Sequence, residues 1–291
     1  MLEITRLFPL TEVPSASGIE KVGENFWLIG DNSPNIFWCD EHFTTFQKAQ
    51  LYDYDDLENG VIPKKKKRDL EAMFSIEMDG DSHIFIFGSG SKEKRMKGFF
   101  FSVNDSNKIQ QFDLENLYHL LMKEGNLSSD ELNIEAAAVL KEEVYFFNRK
   151  RNCVFSMSIE DFLNYVSDDK NLPTIKSVRF KLPSLDGFEA GFSGAATDEI
   201  NQRIIFTASV EQTDSTYFDG ETSGSFVGFL TCEDLAHGGT IACEPLSKNR
   251  AILKVKVESI CIHQQTSEEV TCFLVTDSDG GVSELIEIKL K

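Results

Sequence analysis

Four glutamates recur in similar short settings along this 291-residue chain: Gly18-Ile19-Glu20, Asp69-Leu70-Glu71-Ala72, Asn133-Ile134-Glu135-Ala136-Ala137 and Val257-Glu258-Ser259-Ile260. A fifth setting, Gly191-Phe192-Ser193-Gly194-Ala195-Ala196, carries Ser where the others carry Glu. The marker positions 20, 71, 135, 193 and 258 are separated by 51, 64, 58 and 65 residues. If the fold brings them together, Glu20, Glu71, Glu135, Ser193 and Glu258 form a ring of oxygen ligands suited to a hard divalent cation. Ca²⁺ accepts irregular oxygen geometry better than Mg²⁺ does. Zinc does not fit, because no His or Cys cluster has the spacing it needs. The other reading is structural: each carboxylate accepts hydrogen bonds from backbone N–H groups at its own turn.

The elements that would position such a ring repeat with the markers. Self-similarity at this spacing points to an array or a propeller. After each marker come short runs rich in Phe, Val and Ile, bounded by Gly, Asp, Asn and Ser, which is strand and turn chemistry. Val270-Thr271-Cys272-Phe273-Leu274-Val275 is almost continuously apolar, as expected of a strand buried on both faces. The spacing predicts an all-β fold, a five-bladed β-propeller forming one domain over residues 1–291. The fifth blade has only three strands before the chain ends, and residues 3–10 supply the missing outer one, which closes the ring and removes an open edge. A six-bladed ring, the alternative, would need a sixth marker. Two helical insertions are expected, at 113–123 with Asp113 as N-cap and at 158–166 with a Ser158-x-x-Asp161 start.

Antiparallel four-stranded blades open their entry loops and their second-to-third-strand loops on one face. All five markers therefore converge on one mouth of the channel, joined by loops that carry Asp31 and Asp277, candidates for orienting a catalytic water. Of the 29 Lys and Arg residues, 12 fall in three loops of this face, at 64–68, 92–97 and 149–151. This basic sector would attract an anionic small molecule, with Lys92, Arg95 and Arg149 as its binding groups. The long loop 211–225 adds Asp214 and Tyr217 as ligand-covering candidates.

Composition narrows the partners. A net charge of −19 argues against general binding to nucleic acid or anionic membranes. No apolar stretch is long enough to span a bilayer. The N-terminal residues do not resemble a secretory signal, which points to a cytoplasmic protein. The six cysteines form no C-x-x-C pair and sit mostly in apolar runs, as buried thiols of a reducing compartment do.

Two resemblances follow from these residues. The order Gly-Ile-Glu, Gly-Asp-Asn-Ser-Pro, Asp-Leu-Glu-Ala, Gly-Ser-Gly-Ser-Lys, Asn-Ile-Glu-Ala-Ala and Thr-Asp-Ser-Thr-Tyr-Phe-Asp-Gly resembles an uncharacterised family of bacterial propeller-like proteins, which implies no activity. The ring Glu20, Glu71, Glu135, Ser193 and Glu258 more distantly resembles the axial calcium site of the five-bladed calcium-activated nucleotidases (apyrases). That resemblance implies Ca²⁺ as cofactor and hydrolysis of a phosphoanhydride or ester. The alternative is a non-catalytic propeller that binds a ligand or a protein, with calcium in a structural role.

Overall fold

A computed structural model of the chain describes residues 2–54, 57–58, 60–63, 65–212, 221–277 and 282–291. Among them, strands predominate, joined by three short α-helices. The first strand, β1 (Leu2–Leu10), precedes the blades. Blade 1 comprises β2 (Ala16–Val22), β3 (Asn25–Gly30), β4 (Asn35–Cys39) and β5 (Gln47–Gln50). Blade 2 comprises β6 (Leu70–Met78), β7 (Asp81–Gly88), β8 (Lys97–Ser102) and β9 (Gln110–Asp113), followed by helix α1 (Glu115–Gly125). Blade 3 comprises β10 (Ile134–Leu140), β11 (Glu143–Asn148), β12 (Cys153–Ser158), helix α2 (Ile159–Ser167) and β13 (Lys176–Lys181). A hairpin, β14 (Ser184–Leu185) with β15 (Phe188–Glu189), leads to blade 4: β16 (Gly191–Asp198), β17 (Arg203–Glu211), β18 (Thr222–Thr231), helix α3 (Cys232–His237), β19 (Gly239–Thr240) and β20 (Cys243–Pro245). A second hairpin, β21 (Ser247–Lys248) with β22 (Ala251–Ile252), precedes β23 (Lys256–Gln265), β24 (Val270–Asp277) and β25 (Ser283–Leu290).

The innermost strands β2, β6, β10, β16 and β23 each touch the next around a closed ring, and β23 touches β2. Strand β1 pairs antiparallel with β25, from Leu2 opposite Leu290 to Leu10 opposite Ser283, so the fifth blade is completed from the N-terminus. This is the expected five-bladed propeller. The sequence pattern puts the outer strand of blade 4 at 240–243 and expects helices only at 113–123 and 158–166, and the structure differs on both points. Thr240 pairs in parallel with Lys181 at the edge of blade 3, so the outer strand of blade 4 starts later, at Cys243. Helix α3 was also missed, although Thr231 and Asp234 form a reciprocal capping box that the sequence carries openly.

Five apolar clusters sit one in each gap between neighbouring blades. This explains why the middle strands lack polar alternation. In β7, Phe85 and Phe87 enter the cluster shared with blade 3, while Ile84 and Ile86 enter the one shared with blade 1. Both faces of the strand are buried, and each such side chain contributes about 1.5–3 kcal/mol. Helices α1 and α2 cover the gap between blades 2 and 3. Asp113 Oδ1 accepts from the Glu115 N–H at 2.9 Å, and Ser158 Oγ accepts from the Asp161 N–H at 3.0 Å. Phe162 of α2 packs on Phe74, Phe85, Phe87 and Phe146, and the Tyr118 hydroxyl of α1 donates to the Gly88 carbonyl at 2.7 Å. All six cysteines are free thiols, four of them buried.

Candidate functional site

Near the start of every innermost strand the pairing register slips by one residue. The slips fall between Ala16 and Gly18, Leu70 and Ala72, Ile134 and Ala136, Phe192 and Gly194, and Val257 and Ser259. Each is a β-bulge, which leaves one residue of the strand unpaired and re-aims it. The bulged residues are Ser17, Glu71, Glu135, Ser193 and Glu258. The repeat unit is therefore an apolar residue, then Glu or Ser, then a small residue: Ala-Ser-Gly, Leu-Glu-Ala, Ile-Glu-Ala, Phe-Ser-Gly and Val-Glu-Ser. The third position is small because the second strand of its own blade and the neighbouring inner strand both crowd it. A Cβ on Gly194 would lie 2.8 Å from the Ser259 Cα, and one on Gly18 would lie 2.6 Å from the Ile29 Cγ1.

This register corrects one member of the expected ring. Blade 1 contributes Ser17, and Glu20 lies three residues further along β2, about 10 Å down a strand rising ~3.3 Å per residue. There Glu20 accepts a hydrogen bond from the Ser75 hydroxyl at 2.8 Å. Ser17 is buried, and its hydroxyl donates to the Leu70 carbonyl of the next blade at 2.6 Å. Ser193 is buried beside the Thr207 hydroxyl at 3.0 Å. The Ser17 oxygen, its hydrogen given to Leu70, keeps its lone pairs, whereas between Ser193 and Thr207 either hydroxyl can donate and Ser193 also accepts from the Ser209 hydroxyl at 3.4 Å.

The mouth around the bulges is a dense charge network. Its first half spans blades 1 and 2. Lys67 pairs with Asp31 and, at 2.8 Å, with Asp69 Oδ1; Arg95 pairs with Asp69 and donates to the Ser91 hydroxyl at 2.7 Å. One oxygen each from Asp31, Asp69 and Glu71 lies within 4.8 Å of the others. The second half spans blades 3, 4 and 5. Arg149 contacts Glu211 closely, at 2.7 Å, and Glu135 and Glu258 loosely, at 3.5 and 4.0 Å. Lys256 bridges Glu258 at 2.9 Å and Glu211 at 3.1 Å.

Six carboxylates thus face four basic groups. Among the described residues, Glu71 has no hydrogen bond or ion pair, and the buried Oε2 of Glu258 accepts no hydrogen bond. Electrostatics follow from that imbalance. Burial, then the charges of Asp69, Glu135 and Asp31, push the Glu71 carboxyl well above the usual carboxylate range. Burial pushes Glu135 up to about 7 even with Arg149 beside it. Burial would also raise Asp69, but Lys67 and Arg95 outweigh it and hold this carboxyl below its ordinary value. Burial outweighs Lys67 at Asp31, whose carboxyl is raised.

The expected residues divide accordingly. Glu71, Glu135, Ser193 and Glu258 all stand at bulges of the mouth, near Asp31, Arg95 and Arg149, and Glu20 does not. Among the described residues, only Glu71 of the expected ring shares a cluster of carboxylate oxygens within 4.8 Å, and it does so with Asp31 and Asp69, while Glu135 and Glu258 are linked through Arg149. Asp277 ends β24 opposite Lys256. Lys92 is exposed, just before a turn of 3-10 helix. Asp214 and Tyr217 lie outside the described residues. Arg95 and Arg149 are not free basic groups: each is held by carboxylates. Lys67 belongs to the basic sector expected at 64–68 but pairs with carboxylates instead of standing free, and three members of the network had no role in the sequence reading: Asp69, Glu211 and Lys256. A positional signal existed for two of them, since Asp69 and Lys256 both stand two residues before a bulge.

Comparison with known proteins agrees with the repeat. A family described as a family of unknown function (DUF6929) is matched over residues 12–290, from the turn after β1 to the last residue of β25. The chain belongs to that family. Its sequence matches no curated protein. Among solved structures, the glutaminyl cyclase of Myxococcus xanthus is similar with a TM-score of 0.50 at 9% identity, over 99% of this chain and 95% of that one. An endo-arabinase from Bacteroides thetaiotaomicron superposes with a TM-score of 0.49 at 9% identity, covering 98% of this chain and 96% of that one. Hydrazine synthase from Kuenenia stuttgartiensis gives 0.41 at 9% identity over 95% of this chain, which spans 63% of the synthase chain. The likeness to the cyclase is one of fold alone. No helix among the described residues is long and apolar enough to cross a membrane.

Proposed function

We propose that this DUF6929 protein binds Ca²⁺ at the channel mouth and there holds an anionic small molecule. Glu71, Glu135 and Glu258 would be the charged ligands, with the hydroxyl oxygens of Ser17 and Ser193 completing the ring. The supporting observation is the imbalance among the described residues: six carboxylates face four basic groups, and a cation would offset the burial penalty and the repulsion that raise Glu71 and Glu135. Glu71 has no partner among the described residues, and Arg149 touches Glu135 and Glu258 only at long range. The donors are all oxygens, which suits Ca²⁺ and disfavours zinc. The distant resemblance to the apyrase calcium site agrees in ligand type, with Ser17 taking the place first given to Glu20.

A bound cation would supply a Lewis-acid contact to a phosphate or carboxylate oxygen. The chain itself keeps Arg149 beside the ring, and Lys92 at the exposed rim supplies further positive charge. A binding role fits better than a catalytic one, because Asp31 is already tied to Lys67 and no histidine takes part in the mouth network. Hydrolysis remains the second reading. It rests on Asp31, whose carboxyl lies beside that of Glu71 and could orient water with Asp277. Melting curves with Ca²⁺ and with chelator test the binding reading, since a ligand that binds only the native state raises the melting temperature. No shift would refute it. Phosphate release from a panel of nucleotides, dependent on Ca²⁺ and lost in Asp31→Asn, would establish the hydrolase instead.

A further inference from the structure

Below the bulges, the same five strands enclose a cavity of about 340 Å³ that the mouth chemistry does not use. Its size is at the lower end for small-molecule pockets. It exists because Ala137, Ala138, Ala195 and Ala196 occupy wall positions that larger side chains would fill. Glu20 and Ser75 line it on one side, and His263 and Gln265 on another.

The polar groups of this chamber are unbalanced in a specific sense. Three of its donors, including the Lys21 ammonium that also lines the cavity, are turned toward protein acceptors. Ser75 Oγ donates to Glu20 at 2.8 Å, Thr197 Oγ1 to the Val139 carbonyl at 2.6 Å, and Lys21 Nζ to the His263 carbonyl at 2.8 Å. The acceptors are left over. His263 Nδ1 and Gln265 Oε1 are buried with no hydrogen-bond partner, and among the described residues no basic side chain pairs with Glu20. Buried polar atoms are normally satisfied, so two orphans beside a carboxylate with no basic partner suit a donor from outside the chain, in a cavity that Lys21 and Glu199 also line. A ligand that brings several N–H groups and a positive charge satisfies all three.

We propose that the lower chamber is a second binding site, specific for a small primary ammonium compound, with Glu20 as its counter-ion and Gln265 and His263 as hydrogen-bond acceptors. Charge-assisted hydrogen bonds to Glu20 supply the affinity. The alanine walls set an upper limit on ligand size. The site is separate from the cation ring, because Glu20 is three residues below the bulge on β2.

Titration calorimetry at pH 8 with propylammonium, propanol and propanoate tests this. The three probes have nearly the same shape and differ in charge. Propylammonium is expected to bind at least about tenfold more tightly than either of the others, a difference of the order one charged contact gives. Glu20→Gln should weaken it by about the same factor, and Gln265→Ala several-fold, with both variants checked for an unchanged circular dichroism spectrum. Equal binding of the three probes, no binding of propylammonium, or unaltered affinity in both folded variants would overturn the assignment. Should Glu20→Gln fail to fold, Gln265→Ala decides alone.

Discussion

The mouth and the lower chamber of the channel are built from the same five strands, roughly 10 Å apart, yet they treat charge in opposite ways. At the mouth, bulges bring out Ser or Glu, and the adjoining turns add acids and bases until nearly every charge touches its opposite. In the chamber, four of the five strands pair regularly while β23 carries a second bulge at His263, the wall residues are small, and Glu20 stands without a basic partner among the described residues. A bulge frees one residue per strand from the ladder, so chemistry concentrates there, while the positions below must fit between closely packed neighbours.

The largest effect should come from breaking the mouth network. Arg149→Ala removes the shared partner of Glu135, Glu211 and Glu258, all largely buried. Losing one member of a buried ion cluster costs about 3–5 kcal/mol, which urea denaturation would measure. A loss below about 1 kcal/mol would mean that water screens the mouth as it does a surface pair. Next in size is the waist between the two regions. Gly194→Ala forces a Cβ against the Ser259 backbone and should destabilise by about 1–3 kcal/mol.

The chamber should give the smallest effect, with the opposite sign. Burial, only partly offset by hydrogen bonds from Ser75, raises the Glu20 carboxyl from 4.5 to about 7. Between those values the native chain holds a proton that the unfolded chain has lost. The contribution of this group to stability therefore falls as pH rises from about 4.5 to 7, and is level above. Glu20→Gln should abolish that slope and, at pH 8, stabilise the fold by about 1–2 kcal/mol, less than the full shift because the side chain is partly exposed. Asp69 behaves conversely. Its carboxyl is held low by Lys67 and Arg95, so its contribution is present at neutral pH and is lost as pH falls below about 4. A stabilising Glu20→Gln beside a destabilising Arg149→Ala would sharpen the contrast, and the same sign for both would break it.

The blade count, the closure by β1 and the two-sided burial of the middle strands were legible in the sequence, because a long repeat and continuous apolar runs survive without any knowledge of contacts. Four of the five ring positions were legible for the same reason. Blade 1 was misread because Ile19-Glu20 mimics the Leu70-Glu71 and Ile134-Glu135 pairs, while the true equivalent, Ser17-Gly18, shares only its size pattern with Ser193-Gly194. A bulge shifts register without leaving a mark in a period-two pattern, so Ser17 could not be distinguished by periodicity. The cation partners were hidden for another reason. Arg149 reaches Glu211 and Lys67 reaches Asp31 across blade boundaries, and such pairs exist only once neighbouring blades have packed together.

The assignment of the cation site to the bulges is tested most directly by calcium titration calorimetry on three chains: the natural protein, Glu71→Gln and Glu20→Gln. The natural protein and Glu20→Gln should bind one Ca²⁺ with similar affinity, and Glu71→Gln should bind it about tenfold or more weakly, as the loss of a charged ligand dictates. Absence of binding heat in the natural protein, or loss of binding in Glu20→Gln with Glu71→Gln unaffected, would contradict the account.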